Sequence, residues 1–145
     1  MKISNEGIQL KTSKAFEIRF SEVDSMHIVW HGSYALYFED AREQFGKDFG
    51  LSYQGYFDNG YYAPLVDLCF SYKKPLLFGQ QARIDITYRN VPAAKVIFDY
   101  EIRLIADNSL IATGSSTQVF LDSDYNLVWS NPPFYEEWKR KYGLL

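Results

Sequence analysis

The chain has 145 residues, 47% of them apolar, a formal charge of −3, and an aromatic set of 12 Tyr, 11 Phe and 3 Trp. That length fits one ordinary domain (1–145) able to bury a core without disulfides or a structural metal. The interspersed charges leave no dominant basic face and so argue against nonspecific nucleic-acid binding, although a local patch for a small anion would suffice. Cys69 is the only cysteine, so one chain holds neither a disulfide framework nor a cysteine zinc set. The opening MKISNEGIQLKTSK lacks the apolar stretch of a signal peptide, and no run approaches the ~18 apolar residues of a membrane span. The expectation is a soluble, cytoplasmic protein.

In chain order, the alternation of Phe16, Ile18 and Phe20 with Glu17, Arg19 and Ser21 predicts a half-buried strand whose register changes at Asp24. After His31, Gly32 and Ser33 can open a helix. Tyr34, Phe38, Ala41, Phe45 and Phe49 then recur at spacings of four and three, one apolar face that Gly50 stops. Tyr53 to Pro64 (YQGYFDNGYYAP) reads as a turn-rich aromatic loop. Leu65 to Tyr72, the alternating Ile84, Ile86 and Tyr88, the alternating Val96 to Leu104, and Leu110 to Leu121 read as strands. The last is rich in Ala, Gly, Ser and Thr, which would let the helix approach closely. Asn90 to Ala94 and Asp107 to Ser109 are short enough to join antiparallel hairpins. The tail from Asn131 allows a short helix with Pro133 in its first turn. One helix against one antiparallel sheet is an α+β architecture.

Both histidines lie in DSMHIVWHGSY, where Asp24, His27 and His31 have a spacing that would align metal ligands on a helix. The helix-starting signals come only after this segment, so the three should not converge, and no metal or other cofactor is expected. DSDYN (Asp122 to Asn126) copies the start of a calcium loop, but Leu127 and Pro133 stand where Gly and Glu are needed, so a polar turn is expected. No Gly-x-Ser-x-Gly elbow and no phosphate-loop glycine pattern occurs. What remains is a carboxylate at a strand end followed, seven residues later, by the unpartnered amides of a helix start, which can polarise a carbonyl. That pairing is a minimal acyl-transfer site. The competing reading has Asp24 capping a turn and His31 packing near the helix.

The segment FSEVDSMHIVWHGSYALYFEDAREQF resembles the signature of hotdog-fold acyl-CoA thioesterases of the 4-hydroxybenzoyl-CoA thioesterase type, especially the YbgC-like branch. The shared elements are Asp24, Val29, Trp30, His31, Ser33, Tyr34, Phe38, Glu39, Ala41 and Arg42. SYKKPLLFGQQARIDI resembles the family's strand, proline, strand segment, and the similarity covers about residues 14–125, the expected core. The resemblance implies a hotdog fold, hydrolysis of acyl-CoA to free acid and CoA, Asp24 as nucleophile or general base, and the His31 N–H as carbonyl polariser. It also implies CoA lying across a dimer surface, hence a homodimer or homotetramer. Tyr34, Glu39, Tyr61, Tyr62, Lys73, Lys74 and Arg89 are the candidate substrate-binding residues; Tyr53, Tyr56 and Phe57 would extend an acyl wall, and Arg83 and Lys95 are further candidate phosphate contacts. The family usually has Gly three residues after the Asp, where this chain has His27, so a turn needing positive φ would strain that residue. The strand after Pro92 carries Ala94 and Lys95 in place of the family's usual Ser/Thr. The alternative is a non-catalytic acyl-thioester-binding module in which His27 has disabled the site.

Overall fold

The computed structural model describes residues 9–145. Strand β1 (Lys11–Glu17) and a 3-10 turn (Phe20–Glu22) precede a long helix, α1 (Ser33–Phe49), and a short one, α2 (Tyr53–Asp58). Strands β2 (Leu65–Tyr72), β3 (Gln81–Arg89), β4 (Lys95–Leu104), β5 (Leu110–Leu121) and β6 (Leu127–Val128) follow, then helix α3 (Pro133–Lys141). The sheet runs β1-β3-β4-β5-β2 with every neighbour antiparallel, and β6 pairs β5. Strands β1 and β2 are thus its two edges. The register of β2 on β5 slips between Leu65 and Asp67, a bulge that leaves Val66 60% exposed.

Helix α1 lies where the apolar spacing put it. Gly50 ends it at φ 83, a left-handed conformation that costs glycine nothing. Phe38 stacks on Tyr100 of β4, ring centroids 4.0 Å apart, and Phe45 meets Phe98 edge-on at 4.8 Å. Gly114 of β5 makes that approach feasible: a Cβ there would come within 2.4 Å of both the Phe38 ring and the Cys69 carbonyl oxygen. The small residues of β5 therefore do admit the helix.

Three expectations need correction. The first strand starts at Lys11 and ends at Glu17, and Phe20 lies 72% exposed in the 3-10 turn against Phe78. The half-buried face of β1 carries Thr12, Lys14 and Phe16, so KTSKAFE alternates in burial with little alternation in polarity. The first half of the supposed 53–64 loop is α2, because the Ser52 hydroxyl caps it by accepting the Gly55 N–H at 3.1 Å. The tail beyond 125 is not peripheral: Tyr135 and Trp138 are buried in the core. Trp138 Nε1 donates at 2.8 Å to the Phe49 carbonyl at the end of α1, an oxygen the helix itself cannot satisfy. As expected, Asp122 forms a polar turn into β6, accepting the N–H groups of Asp124 and Asn126.

Candidate active site

The loop from Glu22 to Gly32 is held almost wholly by backbone. The Asp24 N–H donates to the Ile28 carbonyl at 2.8 Å and the His27 N–H to the Asp24 carbonyl at 3.0 Å, closing a tight turn. One Asp24 carboxylate oxygen, Oδ1, accepts the Met26 N–H at 2.8 Å, so Asp24 does cap its own turn. Its Oδ2 has no partner among the described residues. The turn demands a left-handed residue, and His27 supplies it at φ 64. The residue in this conformation is the one that stands where the resembling family usually has glycine.

The helix start is pinned from several directions. The Glu22 carbonyl accepts the Trp30 N–H at 2.9 Å and the Ser33 hydroxyl at 3.1 Å, while the Glu22 carboxylate accepts the Tyr37 hydroxyl at 3.1 Å. Burial, reinforced by Glu22, pushes the Tyr37 hydroxyl far above its ordinary pKa, so it stays a donor. Trp30 folds its ring across Gly32, where a Cβ would lie only 2.0 Å from the ring. At the far side Tyr72, the last residue of β2, donates its hydroxyl to the His31 carbonyl at 3.3 Å. Thus fixed, the N–H groups of His31 and Gly32 donate to no acceptor among the described residues.

Asp24, His31, Tyr34, Tyr72, Lys73 and Lys74, with Met26, Ile28, Val29 and Pro75, line one cavity of about 390 Å³. Tyr34 is 3% exposed, and burial, with Tyr72 beside it, pushes its hydroxyl up to about 12, so it remains protonated at neutral pH. Asp24 is half-buried and Lys73 and Lys74 are exposed at the rim. His27 is outside the lining, and the other sequence candidates are elsewhere in the single chain. Glu39 lines a separate cavity beside Arg42. Tyr61 packs on Phe120 and Phe134, and Tyr62 stacks on Tyr125. Arg89 is paired with Asp99 on β4, and Arg83 with Asp85. Sequence reasoning missed Tyr72 as a brace of the helix start; its place at the end of a strand, next to two lysines, was the signal available.

A family model described as the thioesterase-like superfamily matches residues 18–139. The chain belongs to this superfamily. YneP of Bacillus subtilis, which carries the name of an acyl-CoA thioesterase, is 34% identical to this thioesterase-like chain over 91 residues, covering 63% of this chain and 66% of YneP. The chain thus spans just under two thirds of that relative. A Synechocystis protein named as an esterase is 24% identical over 140 residues, covering 93% of this chain and 84% of the relative. Among solved structures, a DHNA-CoA thioesterase from Staphylococcus aureus superposes with a TM-score of 0.80 at 25% identity, covering 90% of this chain and 89% of that one. A 1,4-dihydroxy-2-naphthoyl-CoA thioesterase from Synechocystis superposes at 0.79 with 18% identity, covering 88% and 94%, which speaks to the fold alone. The fold is that of the hotdog thioesterases, an antiparallel sheet packed on one long helix.

Proposed function

We propose that the chain hydrolyses acyl-CoA thioesters to the free acid and CoA. The observation that carries this reading is the conjunction, at one cavity, of a carboxylate with an unengaged oxygen and of His31 at the start of α1, whose N–H, like that of the next residue Gly32, donates to no acceptor among the described residues. The positive end of the helix dipole adds to those donors, which suit the oxygen of a thioester carbonyl as it gains charge. Asp24 either attacks the carbonyl carbon, displacing the CoA thiolate and leaving an anhydride that water opens, or removes a proton from the attacking water. Lys73 and Lys74 at the rim fit the phosphates of CoA. YneP carries the name of an acyl-CoA thioesterase and the Staphylococcus aureus structure that of a DHNA-CoA thioesterase, which supports the reading. Among the described residues no helix is long and apolar enough to cross a membrane, and we place the activity in the cytoplasm.

The test is Asp24→Asn. Asn keeps an oxygen for the Met26 N–H, so the turn survives while the negative charge and basicity go. Hydrolysis across a panel of acyl-CoAs, followed by free thiol, should fall at least about 10²-fold in kcat with acyl-CoA binding retained. Wild-type turnover in a folded variant rejects the role of Asp24. A wild-type protein that binds acyl-CoA and hydrolyses none of the panel supports the binding-module reading instead.

The active form in this reading is a homodimer or homotetramer, because β1 and β2 leave two open sheet edges and Phe20, Met26, Trp30 and Phe78 stand exposed around the site. Light scattering should give at least twice the monomer mass at micromolar concentration; a monomer refutes this.

A further inference from the structure

The hairpin between β5 and β6 carries a second left-handed side chain. The Asp122 N–H donates to the Asn126 carbonyl at 2.9 Å and the Tyr125 N–H to the Asp122 carbonyl at 3.0 Å, the same turn as the one after Asp24, and Tyr125 takes φ 66. Glycine or asparagine suits that position; a bulky ring there is an outlier of the kind that gathers at functional sites. The core does not hold the ring in place. Tyr125 is 69% exposed and stacks on Tyr62 with ring centroids 5.1 Å apart, and Phe57 lies 6.0 Å from Tyr62 on from there.

The ladder extends this aromatic row into a face. Tyr62 stands opposite Leu121 and Leu121 opposite Leu127, so the three share the outer side, whereas Phe120 next to them is fully buried on the inner side. Trp129, two residues past Leu127, is 85% exposed. A contiguous aromatic surface of this kind marks a contact site, and Tyr and Trp are the residues that dominate such contacts. Its surroundings set the sign of the partner. Residues 51–72 and 104–133, which build the face, carry Asp58, Asp67, Asp107, Asp122 and Asp124 and no Lys, Arg, His or Glu. Lys95, opposite Val119 on β4, is the basic residue that the ladder brings nearest. Asp58 and Asp124 are exposed beside Phe57 and Tyr125, so the local field favours a cation, and the ring faces suit a guanidinium or ammonium group. Strand β6 pairs with β5 and with no other strand among the described residues, which leaves its outer edge able to take an added strand.

We infer that this face docks an extended basic segment of another protein. The segment's backbone adds to the edge of β6, and alternate arginine or lysine side chains lie over Tyr125 and Trp129, near Asp124 and Asp58. The face adjoins the Leu65 end of β2, about 23 Å along that strand from Tyr72, and docking there does not depend on hydrolysis at Asp24.

The probe is a short capped peptide alternating Arg and Val, labelled and followed by fluorescence anisotropy as the full chain is added; the control carries Glu in place of Arg. The Arg peptide should bind at least about tenfold more tightly than the Glu peptide, by a margin that shrinks as salt is raised. Tyr125→Gly suits the turn and should stay folded while its affinity for the Arg peptide falls about tenfold, and Trp129→Ala should weaken binding to a similar degree. Equal binding of the two peptides, no binding of either, or wild-type affinity in either variant overturns the inference. So does a drop in oligomer mass of Trp129→Ala in light scattering, which would assign the face to a second copy of the chain.

Discussion

Replacing Gly114 by alanine adds one methyl group at the most crowded point between helix and sheet. The new Cβ would sit 2.4 Å from the Phe38 ring and 2.4 Å from the carbonyl oxygen of Cys69 on the neighbouring strand. Ordinary contact begins near 3.4 Å, so one obstacle or the other must retreat by about an ångström. Neither yields readily: the first is locked in its stack on Tyr100 and the second is ladder backbone. Overpacking of this kind costs about 1–3 kcal/mol, and a backbone obstacle places Gly114→Ala in the upper part of that range. For a domain of this size the melting temperature should fall by about 5–10 °C. Because the shift tilts α1 relative to the loop of Asp24, turnover on acyl-CoA should fall as well, by up to about 10²-fold for an ångström of misplacement. Scanning calorimetry and a thiol-release assay measure the two effects. Ser115→Ala, one residue along with its side chain on the opposite face of the strand, is the control, with an effect within about 0.5 kcal/mol. A Gly114→Ala protein melting within about 1 °C of wild type would refute the claim that this glycine sets the distance between helix and sheet.

At the turn after Asp24, His27→Gly removes a left-handed non-glycine conformation worth about 1–2 kcal/mol and incurs about 0.5–1 kcal/mol of extra chain entropy. The melting temperature should rise by about 1–3 °C with turnover per folded molecule unchanged; a fall would show that the His27 side chain holds the loop in a way the turn geometry does not reveal. On the sheet, burial alone would raise the Asp85 carboxyl, but hydrogen bonds from Arg83 and Ser13 win and hold it below the ordinary carboxylate value. A depressed folded-state pKa means stability that is full above about 4 and lost as pH falls through the folded value, so wild type should weaken on acidification more steeply than Asp85→Asn. Urea midpoints from pH 5 downward measure this, and parallel curves would reject it.

What could be read from the residues follows from where each determinant lies. The spacing that placed α1 and the glycine that ends it are local, and so are the alternations of β3 and β4, whose inner faces are buried almost without exception. The exposed phenylalanine at 20 misled because its partner, Phe78, is remote in sequence. The hydrogen bonds that brace α1 are remote in sequence as well: Tyr72 to the His31 carbonyl spans 41 positions, and Arg42 to Tyr100 spans 58. Nothing in the periodicity of one segment announces a hydrogen bond that only the closed sheet creates. The carboxylate and the helix start were legible because they lie seven residues apart; the buried polar cluster around Arg42 was not, since four separate elements assemble it.

The bulge at Val66 divides strand β2 into two unequal parts. Upstream of it the outer edge is kinked and makes a poor template for another strand. The stretch from Asp67 to Tyr72 stays regular, and it ends on the residue whose phenol grips the His31 carbonyl. A neighbour that docks edge to edge on β2 must therefore use the few residues tethered to the helix start. Drawing that strand outward stretches a 3.3 Å bond at the loop carrying the free N–H groups, and clamping it holds the loop still. The free edge of β2 and the setting of the loop at the helix start thus depend on one short piece of backbone.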